Sequence, residues 1–106
     1  MAIIRYTTPT VRFTFSEIDI TDVTLAYLVI KQNGKSVVER DITSATVTNT
    51  QSDKSIMWTL TQQETAKLSK GNDARIYCDW KLAGGTRGRS HVKSETVEDS
   101  GKSEVI

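Results

Sequence analysis

The strongest local constraint on this chain is Asn33-Gly34, set between two apolar β-branched runs. Both residues accept the positive φ angles of a type I′ turn, whose twist matches the strands on either side. The sequence Thr24 to Gln32, TLAYLVIKQ, must therefore fold back antiparallel against Lys35 to Asp41. A plain two-residue loop sets Ile30 opposite Val37 and Val29 opposite Val38.

The same period recurs along the chain. Thr10 to Phe15 alternates Val11, Phe13 and Phe15 against Thr10, Arg12 and Thr14, and Ile56, Trp58 and Leu60 share a face of Ser55 to Leu60. Asp73 to Leu82 alternates Ile76, Cys78, Trp80 and Leu82 with Arg75, Tyr77, Asp79 and Lys81. Trp58, Trp80, Ile76 and Ile56 are the expected core. Thr61-Gln62-Gln63-Glu64 carries the reciprocal pattern of a capping box, which predicts one or two helical turns to about Leu68. Gly71 ends them.

With Thr46 to Asn49 and a final stretch from Thr86 to Val97, the pattern predicts an all-β fold. It is an immunoglobulin-like or fibronectin-like antiparallel β-sandwich of about seven strands with one short helical link. A chain of 106 residues fits one domain and one core. Residues 1–97 form that domain, with residues 1–8 as an N-terminal arm ahead of Pro9, and residues 98–106 form a polar tail, mobile or docked on a partner. No leader peptide is expected at the start, and no run approaches the roughly 20 apolar residues that span a bilayer.

The formal net charge of +1 supplies no global field toward nucleic acid or an anionic membrane, so neither is an expected partner. One cysteine, Cys78, excludes an internal disulfide and a multi-thiolate metal site. A three-residue loop at Ala83 to Gly85 sets Asp79 opposite Arg89, Cys78 opposite Ser90 and Tyr77 opposite His91. Cys78 then faces inward and His91 outward, so they form no catalytic dyad. Glu17, Asp19 and Asp22 lack the ordered acidic loop and glycine of a calcium site. No catalytic residue, metal ligand or cofactor is assigned.

Two surfaces remain. That register lines Arg87, Arg89, His91 and Lys93 beside Arg75, Tyr77 and Lys81, a candidate basic binding face that is otherwise a solvated sheet surface partly neutralised by Asp79 and Glu95. The Asn33-Gly34 hairpin is apolar on both faces, so its second face is covered either by a neighbouring chain, with Tyr27, Val29 and Val38 as a candidate assembly face, or by the arm or helical link of the same chain.

The segments TTPT, DITDVTLAYLVIKQNGKSVVERDITSATV, WTLTQQETAKLS and DWKLAGGTRGRS resemble small β-sandwich proteins of Firmicute phages and prophages. These are distantly similar to the N-terminal module of phage baseplate upper proteins. The resemblance implies a non-enzymatic structural or assembly protein of tail, baseplate or head, in the virion or the host cytoplasm. Its partners are then itself, as a homo-oligomer, or other virion proteins. The alternative is a small phage-encoded regulator or anti-defence protein that meets an anionic host partner through the basic strand face.

Overall fold

The computed structural model describes residues 2–15, 23–90, 92–102 and 104–106. Glu17, Asp19, Asp22 and His91 lie outside the described residues.

The chain is an all-β sandwich. One sheet has the order β2 (Thr10–Thr14), β6 (Lys54–Thr59), β5 (Thr46–Asn49). The larger sheet runs β4 (Lys35–Asp41), β3 (Val23–Gln32), β7 (Ala74–Leu82), β8 (Arg87–Arg89), and β9 (Lys93–Glu95) also pairs with β7. These two orders reproduce the immunoglobulin Greek key, with β2, β6 and β5 in the places of strands B, E and D, and β4, β3, β7 and β8 in those of C′, C, F and G.

The alternating residues fill the space between the sheets. Val11, Phe13, Ile56, Trp58, Leu60, Leu28, Ile30, Ile76 and Cys78 are all buried, as the period-2 pattern requires. Phe13 meets Trp58 edge to face at 6.1 Å, and the Trp58 Nε1–H donates to the Asp41 carbonyl across the sheets at 2.8 Å. That bond lets a large indole be buried with its one polar atom satisfied. Trp80 departs from expectation: it is only half-buried, with its indole lying over Gly88. A Cβ at Gly88 would stand 2.1 Å from the ring, so only glycine fits beneath it.

The helical link is α1 (Gln62–Ala66), opened by the expected capping box. The Glu64 backbone N–H donates to Thr61 Oγ1 at 3.1 Å, and the Thr61 N–H donates to Glu64 Oε1 at 2.9 Å. Arg40 of β4 also donates to Glu64 Oε1, at 2.6 Å, which ties the helix to the larger sheet.

Within the expected arm lies a short strand. Ile3–Ile4 form β1, which pairs in parallel with β10 (Val97–Glu98), and Ile3 is fully buried. Arg5 secures this clamp through Asp99 at 2.8 Å and the Ala66 carbonyl at 2.9 Å, and the hydrogen bond from Arg5 holds the Asp99 carboxyl below its ordinary range. Near the end of the chain, Gln62 exchanges two hydrogen bonds with the Ile106 backbone. A two-residue apolar strand gains little by itself; pairing with a partner more than 90 positions away gives it a ladder and a buried face.

Candidate functional site

The Asn33-Gly34 turn has the expected type I′ geometry, with φ of 53° and 77°. Beyond it the register slips, because Lys31 pairs with Ser36 but Ile30 pairs with Val38. Val37 is the extra residue of a β-bulge, and one extra residue turns every later side chain to the other face. Val38 is therefore in the core at 3% exposure, not on the assembly face where the plain hairpin register put it.

The last hairpin follows the three-residue register. Asp79 opposes Arg89, Trp80 opposes Gly88 and Lys81 opposes Arg87, and Gly85 takes the left-handed conformation at φ 94°. The Ser90 N–H donates to the Cys78 carbonyl at 2.9 Å, yet Lys93 already opposes Ile76. Between those pairings β7 has one residue, Tyr77, where the opposite chain has two. This second irregularity carries Lys93 off the basic stripe. Lys93 Nζ instead donates to the Arg12 carbonyl of the other sheet at 2.7 Å and sits 4.9 Å from the centre of the Phe13 ring. It closes the seam between the sheets.

Five of the predicted basic-face residues, Arg75, Tyr77, Lys81, Arg87 and Arg89, do share the outer face of the larger sheet. Val29 lies opposite Tyr77 and Tyr27 opposite Asp79, so the surviving part of the assembly face adjoins them. The two predicted surfaces are one. Tyr77 is flanked by Arg89 at 5.2 Å and Lys31 at 5.6 Å, within range for cations to feel the ring quadrupole. Leu25 and Tyr27 are 41% and 43% exposed.

Among the described residues, shallow recesses open at two places on this face. One, of about 350 Å³, is lined by Lys31, Asn33, Asn72, Asp73, Arg75 and Tyr77, with Gly34 at the turn. Its wall is held by Gln32, a buried polar residue that sequence reasoning missed: its amide donates to the Ser69 and Asn72 carbonyls, and its oxygen accepts from the Ser69 N–H at 2.7 Å. The other, of about 260 Å³, is lined by Leu25, Tyr27, Asp79, Trp80, Lys81 and Arg87. Lys31 and Asn72 were also missed, and only the β3 to β7 pairing brings them and Leu25 beside the basic residues.

Cys78 is fully enclosed, and burial pushes its thiol up to about 12, so it stays protonated and unreactive at neutral pH. Among the described residues no three acidic, histidine or cysteine side chains cluster as a metal site would need. No helix among them is long and apolar enough to cross a membrane. No protein-family model and no curated protein sequence matches the chain.

Proposed function

We propose that the chain is a non-enzymatic structural or assembly protein of a phage particle, in tail, baseplate or head, that works by protein–protein contact through the outer face of its larger sheet. The observation that supports this is the exposure of Leu25 and Tyr27 beside Val29 on an interior strand of that sheet. An interior strand is where a sandwich would ordinarily place polar residues on the solvent side, and apolar side chains there with polar neighbours mark an interface. The phage assignment rests on the sequence resemblance. Catalysis has no support from Cys78, whose thiol is sealed in the core.

The regulator reading, in which an anionic host partner meets the basic face, loses Lys93 to the sheet seam and finds Asp79 in the middle of the cations. Light scattering of the pure protein and mass spectrometry of purified particles test the structural role. A defined oligomer or a place in the particle is expected, and Leu25→Ser with Tyr27→Ser should abolish it while leaving the fold intact. A strict monomer missing from particles overturns the assignment.

A further inference from the structure

The outer face of the larger sheet contains an electrostatic conflict. Lys31 stands directly opposite Arg75, and Lys81 directly opposite Arg87. Like charges facing each other across a ladder destabilise the pair. Among the described residues, no carboxylate lies within the 4.0 Å of an ion pair to any of these four cations. Elsewhere the same chain does pair its charges, as Arg5 with Asp99 and Arg40 with Glu64 show.

Each cation pair lines its own recess beside a tyrosine and one aspartate, Tyr77 and Asp73 in one and Tyr27 and Asp79 in the other, so two cations stand against one carboxylate in each. Arg75 and Lys81 are six residues apart on one strand, which separates the recesses by roughly 20 Å at the usual rise of a strand. Between them the surface changes character. Val29 and Tyr27 occupy the centre, with Asp79 opposite Tyr27, and with Glu39 and Asp41 on the adjoining β4.

We infer that this face receives an extended segment of a partner protein with acidic residues at both ends and small apolar or uncharged residues between. The inference rests on the docking role given to this face above. The spacing decides the occupant. A strand of the partner advances by the same rise, so acids six residues apart reach both cation pairs, and its middle residues cover Val29 and Tyr27. A uniformly charged polyanion would instead set phosphates beside Glu39 and Asp41 in the central stretch, and the net charge of +1 would do little to hold it.

The test is an amide-shift titration of the whole chain at low ionic strength with three probes. The first is the peptide Asp-Asp-Ser-Val-Ser-Val-Asp-Asp, the second is Asp-Asp-Asp-Asp-Ser-Val-Ser-Val, and the third is an oligothymidylate of matching length. The spaced peptide should bind at least about fivefold tighter than the clustered one, the difference that one or two exposed ion pairs supply. Shifts should appear in both the Lys31 and the Lys81 rows. Lys31→Gln with Arg75→Gln, or Lys81→Gln with Arg87→Gln, should erase the preference for spacing, with the remaining amide spectrum showing that the fold persists. Equal binding of the two peptides, tighter binding of the oligothymidylate, or no shifts on this face overturns the inference. A protein found in particles that ignores spacing removes this inference alone; one absent from particles that binds the spaced peptide keeps the site and removes the structural role.

Discussion

The two sheets of this sandwich present unlike outer faces. On the smaller sheet, Thr10 opposes Thr59, Arg12 opposes Met57 and Thr46 pairs with that same Met57, while Thr14 and Thr48 flank Ser55. Its charge is answered locally, since Arg12 pairs with Asp53. The exposed threonine hydroxyls and a closed ion pair are content in water, with Ser55 buried between them. On the larger sheet, two cation pairs face each other around exposed Leu25 and Tyr27 with no ion-pair partner among the described residues. Threonine-rich strands gain β propensity at no cost in solubility, so the chain had a simple solution and used it on one face only. The contrast sets the outer face of the larger sheet apart as the candidate docking surface.

The comparison is most sharply broken at Gly88. A methyl group there meets the Trp80 ring, so Gly88→Ala must displace the indole and disturb the row between Asp79–Arg89 and Lys81–Arg87. A loss of about 1–3 kcal/mol is expected, read as a lower midpoint in denaturant. An unchanged midpoint would show that the edge of the larger sheet does not depend on this packing.

A smaller effect separates Lys93 from the cations it neighbours in sequence. Lys93→Ala removes a hydrogen bond to the Arg12 carbonyl and a cation from the Phe13 ring, so it should cost about 1 kcal/mol. Arg87→Ala, on the open face, should stay within about 0.5 kcal/mol of the parent. Equal costs in thermal unfolding would return Lys93 to the surface stripe. The smallest change has the opposite sign. Lys81→Glu converts a repulsive cross-strand pair into an attractive one, and should raise stability by about 0.2–1 kcal/mol. If the melting temperature falls instead, the two cations are not in conflict.

Much of this architecture is legible in residue order. Strict alternation in Val11–Phe13, Ile56–Trp58–Leu60 and Ile76–Cys78 declares which face is buried, and Asn33-Gly34 and the Thr61–Glu64 box declare a turn and a helix start through local chemistry. The illegible part depends on single residues. The extra residue at Val37 and the extra residue after Ser90 each invert the facing of the strand beyond them, sending Val38 into the core and Lys93 to the open seam between the sheets. A periodic pattern has no signal for such an insertion unless a glycine or proline marks it. The clamp of β1 on β10 is invisible for another reason: Ile3 and Val97 lie at opposite ends of the sequence, and no local pattern links them.

The single cysteine gives the molecule a built-in clock. Cys78 sits at the middle of β7, an interior strand of the larger sheet, with its thiol enclosed and protonated. A thiol reagent can reach it only when that strand leaves the sandwich, so the rate of labelling counts how often the central sheet opens. If a partner covers the outer face and holds β7 in place, the clock slows, and occupancy of the face becomes measurable from a sulfur atom on the opposite side of the sheet.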